Sequence, residues 1–186
     1  MSKLSRDDWV KGAQKMLVEH GPSSLSIVKL SASLGVTRGS FYYHFVSLNA
    51  LIDGVISDWE CNVVDKGFAD ARSLTQTPLD EIYYLIDFVT RLSDKQDLVL
   101  RQWATHNAHV KKHMERLDEK RLAVMTDVFE RFTGDQKRGE VFGQLAFYAY
   151  IGCLNSYPRP SSEKQKQVSL EILNLLESEL ASRADS

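Results

Sequence analysis

Residues 26–45 read SIVKLSASLGVTRGSFYYHF, and this stretch decides the reading of the chain. Ser26 is a helix-capping residue type, with Leu25 before it and Leu30 inside, the two apolar positions of a hydrophobic staple. Gly35 supplies the left-handed residue that ends a helix. Thr37 then stands where a second helix needs a cap, with Val36 and Phe41 in the staple positions. Ser47 repeats the arrangement with Val46 and Leu51. The pattern predicts short helices joined by a tight turn at Leu34-Gly35-Val36, with entry angles fixed by packing: a helix-turn-helix.

On the second of these helices Phe41 and Phe45 are four apart and face the core. Arg38, Gly39 and Ser40 are left in the exposed first turn, where free amides and the positive end of the helix dipole favour an anionic partner. Such a turn suits entry into a DNA major groove. Gly39 lets the backbone come close to bases or phosphate. Arg38 either reads guanine or neutralises phosphate, and Thr37 can hold a phosphate through its amide or hydroxyl. Tyr42, Tyr43 and His44 lie on outward or flanking sides and can donate to phosphate oxygens; the plainer role for Tyr42 is packing on the first helix. Lys3 and Arg6, at the start of that first helix, are either further phosphate contacts or solvated charges.

Outward from this segment the apolar period is helical nearly everywhere, and no stretch alternates as a strand would. Ser5 caps a helix to His20, with Asp8 completing a partial capping box. A long helix starts after Ser47 and carries Leu51, Ile52, Val55, Ile56, Trp59 and Val63, with Phe68 as an extension. Further helices are predicted from Thr77-Pro78, over 94–104, over 107–132 closing at Gly134, over 136–155, and from Ser162 with Gln165 in a capping box. The fold class is all-α, with about nine helices.

The 186 residues, 43% hydrophobic and 26% charged, afford one core-forming domain with a small module. The net charge of −2 is unevenly spread: residues 1–50 carry six Lys/Arg and three Asp/Glu, residues 51–186 carry 17 and 22. A mildly basic front on an acidic body is what a small polyanion-binding module would show. Cys61 and Cys153 are too few for a disulfide scaffold or a multi-cysteine metal site and read as buried thiols. The start of the chain has no secretory signal, and the longest nearly apolar run, 141–154, is short of a membrane span. The expectation is a cytoplasmic protein with no membrane partner.

The stretch LVEHGPSSLSIVKLSASLGVTRGSFYYHFVSLNALI, residues 17–52, resembles the TetR family of bacterial transcriptional regulators. The marks are Gly21 after the first helix, Ser26 at the second, the Gly35-Val36-Thr37 turn, Gly39 in the recognition helix, and Tyr42-Tyr43-His44-Phe45. The resemblance implies a helix-turn-helix DNA-binding domain over 1–50 and a helical ligand-binding and dimerisation domain over 51–186. It also implies a homodimeric, ligand-responsive repressor of a palindromic, double-stranded DNA operator, acting without catalysis. Two positions depart from the family pattern: Leu48 stands where many members carry a phosphate-contacting Lys, and Val28 where an Arg is common, with Lys29 beside it as a substitute. Each lost phosphate contact removes about 0.9 from the salt-dependence slope.

The family dimerises through its last two helices, and the residues allow this independently. The helix over 136–155 is apolar on more than one face, so it needs a second burial surface. Gly143, Ala146, Ala149 and Gly152 are small residues at a spacing of three, which permits close helix approach. Phe142, Leu145, Ala149 and Gly152, with Val168, Ile172, Leu175 and Leu176 on the last helix, are the expected interface. The resemblance further implies a small-molecule effector site, for which Trp59, Phe68, Tyr84, Phe88, Trp103, His106 and Met125 are the candidate lining. His106, His109 and His113 share a helix face, but no Asp, Glu or Cys stands at a fitting step, so no metal and no cofactor is assigned. Phosphate loop, nucleophile elbow and HExxH patterns are absent. The remaining alternative is a helical dimeric adaptor or small-molecule-binding protein that has lost operator binding.

Overall fold

The computed structural model describes residues 4–92 and 95–184, the side chains of 183 and 184 excepted; Lys3, and the helix start expected at Asp94, lie outside them. The described residues hold helices and no strand. In chain order these are α1 (Arg6–His20), a 3₁₀ turn (Pro22–Ser24), α2 (Ile27–Ser33), α3 (Arg38–His44), α4 (Leu48–Trp59), a π-helical segment (Glu60–Asp65), α5 (Lys66–Leu74), α6 (Pro78–Arg91), α7 (Lys95–Ala104), α8 (Ala108–Thr133), α9 (Gln136–Asn155) and α10 (Ser162–Ala184). From 48 to 74 the helix is unbroken, its middle turn widened to π. Counted as one rod, it gives the nine helices expected for the described residues.

The local signals act as their chemistry requires. Ser5 and Asp8 form a full capping box on α1, and Thr77 and Asp80 one on α6, where Pro78 occupies the first turn. The Ser26 and Ser47 hydroxyls accept the Lys29 and Ala50 amides. Three expectations need correction. Thr37 has the extended backbone of a cap, but its hydroxyl makes no capping bond. Val46 is 88% exposed, so the third staple does not form. The last helix is capped by Ser161, which accepts the Lys164 amide, while Gln165 donates to the Pro160 carbonyl. Each local pattern offered a choice of partners that only the path of the neighbouring chain resolves.

Two compact units divide the chain, one from Met1–Asp65 with Asp94–Arg116, the other from Lys66–Ser93 with Leu117–Ser186. In the first, α2 and α3 pack on each other, and α1 packs on α2, α4 and α7. Its centre is aromatic: the Trp9 ring meets Phe41 edge-on at 5.4 Å, and Phe41 stacks on Phe45 at 5.6 Å. All three are buried, as the four-residue spacing of Phe41 and Phe45 required. In the second unit, α6 packs on α5 and α10, and α10 on α9. Its core includes Ile82, Leu85, Val128, Phe129, Leu173 and Leu176. Burying such side chains contributes about 1.5–3 kcal/mol each.

The small residues of α9 have two different uses. A Cβ on Gly139 would lie 2.5 Å from the Glu130 Cα, and one on Gly143 2.7 Å from the Thr126 amide nitrogen. These two glycines let α9 press against α8 of the same chain. Gly152 has nothing within 4 Å and lies on an open face.

Candidate nucleic-acid interface

The tight turn is built by backbone bonds: the Gly35 amide donates to the Ala32 carbonyl and the Val36 amide to the Ser31 carbonyl. Gly35 sits at φ 69°, a conformation that disfavours any residue with a Cβ. Ser31, inside α2, is buried and donates to the Ile27 carbonyl at 2.7 Å. With Leu30, Phe41 and Phe45 anchoring the inner faces, the outer face of α3 is fixed by helix geometry.

That outer face carries the expected set. Arg38 is exposed and makes no hydrogen bond or ion pair among the described residues. Gly39 is helical and exposed; a Cβ there would meet only the Thr37 hydroxyl, at 3.6 Å. The fold therefore has no need of glycine at 39, although glycine weakens a helix by about 1 kcal/mol relative to alanine. Thr37 is exposed, and Ser40 is half-buried beside it. Tyr42 is 61% and Tyr43 70% exposed. Tyr42 also meets the Phe41 ring edge-on at 5.3 Å. His44 is half-buried with its ring against Tyr43 at 5.0 Å. On α2, Lys29 is exposed and lightly held by the Ser23 carbonyl at 3.4 Å, and Val28 is exposed beside it. The Ser26 hydroxyl is engaged as the cap of α2. Arg6 stands over the Phe45 ring at 4.8 Å, so it braces the unit rather than standing free.

The residues expected at a dimer seam separate into two groups. Leu145 and Leu175, at 45% and 67% exposure, lie open with Val168 and Gly152. Along α9 the exposed Val141, Leu145 and Tyr148 lead to Gly152 at steps of four, three and four. Along α10 Val168, half-buried Ile172 and Leu175 repeat that step. Ala149 is half-buried. Leu176, by contrast, is wholly buried in the core of the second unit, and Phe142 packs beside the same core, its ring 6.4 Å from Phe129. Their side chains are used inside the chain's own core, a distinction that an all-round apolar helix conceals.

Of the expected effector lining, Trp59 and Trp103 are buried in the first unit, and His106 is exposed with its Nδ1 2.8 Å from the Thr105 hydroxyl. In the second unit Phe68, Tyr84 and Met125 pack half-buried on the core, and the Phe88 ring covers Gly67. An open groove of about 310 Å³ in the first unit is lined by Arg6, Asp7, Val10, Asp53, Gly54, Ser57, Asp58, Cys61 and Asn62. None of the seven expected residues is among them. Cys61 is exposed, against the expectation of a buried thiol, and Cys153 is half-buried.

Beside the groove the structure assembles a cluster that the sequence did not reveal. Asp53 of α4 receives both His109 and His113 of α8, each Nε2 standing 2.7 Å from the same carboxylate oxygen. Two turns further along, buried Glu60 takes a two-pronged hydrogen bond from Arg116, 3.0 Å at one of its prongs. His109, His113 and Arg116 thus form one face of α8, and Asp53 and Glu60 one face of the rod opposite. Burial pushes the Asp53 carboxyl up, but the hydrogen bonds from His113 and His109 and their charge outweigh it, holding it below the usual carboxylate range. Hydrogen bonding to Glu60 raises the Arg116 guanidinium further. The histidine spacing was visible in the sequence; Asp53, 56 residues before His109, carried no signal that tied it to them.

Residues 10–55 match the family described as bacterial regulatory proteins, tetR family. No curated protein matches the chain in sequence. Among solved structures it is similar to a TetR-family transcriptional regulator from Streptomyces coelicolor, with a TM-score of 0.79, 14% identity and coverage of 94% of this chain and 95% of that one. A transcriptional regulator from Aquifex aeolicus gives 0.72 at 14% identity, covering 92% and 98%. A structure from Saccharomonospora viridis, described as a transcriptional regulator in complex with choline, gives 0.77 at 11% identity, covering 91% and 95%. Residues 10–55 thus match the tetR family's N-terminal model, and the chain has the TetR-like fold, an N-terminal helix-turn-helix followed by a helical domain.

Proposed function

We propose that this regulator binds a palindromic DNA operator as a homodimer and represses transcription until a small molecule releases it. Residues 1–50 bind DNA, and residues 51–186 dimerise and sense the effector. The observation that carries the reading is the outer face of α3. Arg38 is unengaged, Gly39 answers to no packing need, and two tyrosines stand exposed on a rigid aromatic base. A bare helix start with an exposed cation suits phosphate and base-edge contact. The glycine suits close approach of a surface from outside the molecule.

Dimerisation rests on the matched open stripes of α9 and α10, since contiguous exposed apolar surface marks an interaction site. A two-fold pair would set two copies of α3 about 34–36 Å apart, one turn of DNA. The effector reading is supported by the family resemblance and by the choline-bound neighbour of the same fold. It requires a ligand that prefers one head spacing while the operator prefers another. Such a protein works in the cytoplasm, where the DNA is, and by binding rather than catalysis. Among the described residues no helix is long and apolar enough to cross a membrane.

A gel shift on DNA from the flanking promoter tests the proposal. The dimer should give one discrete complex that the Arg38→Ala, Tyr42→Ala double variant loses. Unchanged affinity in that variant would refute the α3 assignment and favour the adaptor that has lost its operator.

A further inference from the structure

We propose that Asp53, His109 and His113 form a binding site for one divalent transition-metal ion of the zinc, cobalt or nickel class. The three side chains offer one carboxylate oxygen and two imidazole nitrogens, all within 4.8 Å of one another. The two histidines come from successive turns of α8, and their rings meet nearly edge-on at 5.2 Å. Residues four apart on a helix place two imidazoles on one face, as two-histidine metal motifs require.

The two nitrogen-to-carboxylate separations are near those of ligand atoms around a small ion. Ligands held at about 2.0–2.1 Å from zinc stand roughly 2.9–3.4 Å apart across neighbouring positions. The observed 2.7 Å from each Nε2 to the Asp53 oxygen needs an outward shift of well under 1 Å. The donor set selects the metal: imidazole nitrogen favours zinc, nickel and cobalt, whereas calcium and magnesium prefer oxygen alone. Three protein ligands leave positions for water or an exogenous ligand.

Two independent features point to a cation. Asp53 is 45% exposed at its side chain, and its second oxygen takes no hydrogen bond from the described residues. Asp53 also lines the open groove, together with Asp7 and Asp58 and against a single cation, Arg6. Asp58 is bonded only to the neutral amides of Gln14 and Asn62 among the described residues. A groove of that charge concentrates cations at its wall. The ion would replace the two imidazole protons now shared with Asp53 and bind α4 to α8 more firmly than hydrogen bonds do.

The test is independent of operator binding and uses full-length, tag-free protein stripped with EDTA. Cobalt(II) added alone should saturate at one ion per subunit with visible d–d absorption, and zinc(II) should displace it and raise the melting temperature. His109→Gln and His113→Gln should each weaken binding by at least about tenfold, the lower end of what disturbing a metal's surroundings costs. His106→Gln, whose ring is turned to Thr105, should bind as the parent does. Metal-free melting curves of the variants establish that they fold. No stoichiometric cobalt binding by the parent, or binding unchanged in both His109→Gln and His113→Gln, would overturn the site and leave a hydrogen-bonded latch between two helices.

Discussion

Gly143→Ala and Gly152→Ala make the same chemical change on the same helix, yet they should differ sharply in stability. At 143 the new methyl would stand 2.7 Å from the Thr126 nitrogen, 2.8 Å from its Cα and 3.0 Å from the Met125 carbonyl carbon. These are backbone atoms of α8, which cannot turn aside as a flexible side chain can. Ordinary contact begins at 3.4 Å, so α8 and α9 must part by about 0.7 Å or α9 must tilt; overpacking of this kind costs about 1–3 kcal/mol. Both variants gain the same helix propensity of about 1 kcal/mol, which cancels in the comparison. At 152 nothing lies within 4 Å. The expected gap is therefore the packing penalty itself. For a chain of this length it separates the melting temperatures by roughly 3–10 °C. Thermal melts at a fixed protein concentration, with the oligomeric state of each variant checked, measure it. Gly139→Ala, aimed at the Glu130 backbone, should follow Gly143→Ala. Because Gly152 stands on the stripe proposed as the dimer seam, the comparison is read only where both variants keep the parent's oligomeric state; equal stability there would show that α9 does not approach α8 as described.

Four other outcomes are expected. Arg38→Ala should leave the melting temperature unchanged, since Arg38 holds nothing in the fold, and should lower the salt-dependence slope of operator binding by about 1.8 if each of two subunits loses one phosphate contact; an unchanged slope with relaxed sequence preference would make it a base reader instead. Leu145→Asp together with Leu175→Asp should yield a folded monomer by sedimentation, and a persistent dimer would place the seam elsewhere. Arg131→Met should destabilise the second unit, because buried Glu81 then loses its 2.8 Å partner and, among the described residues, keeps only Arg72 at 3.6 Å. Orphaning a buried charge costs about 3–5 kcal/mol at most, and Glu81→Met with Arg131→Met should lose less than Arg131→Met alone. In EDTA, urea midpoints should fall less on the acid side in Asp53→Asn than in the parent. The folded Asp53 carboxyl lies below its ordinary value, so its contribution is complete above that value and disappears as pH falls through the lowered one.

The helix-turn-helix was legible because its signals are local. Ser26, Gly35 and the Phe41–Phe45 pair act within one or two turns of themselves, and the structure uses them as read. Where a local pattern had two outcomes, tertiary packing chose. Val46 had the position of a staple and points to solvent. Leu176 and Phe142 had the composition of an interface and are taken up by the core of the second unit, while Leu145 and Leu175 beside them remain open.

By itself the sequence determined an all-helical chain with a DNA-binding type of front segment, since helix periodicity and capping depend on residues a few positions apart. Only the tertiary structure decided what meets across dozens of residues: Asp53 with His109 and His113, Glu60 with Arg116, Glu81 with Arg131. A charged residue on a helix face carries no mark of its distant partner, because long-range pairing depends on how helices cross. That crossing is set by the shapes of whole packed surfaces, with glycines such as Gly143 setting how near two helices come.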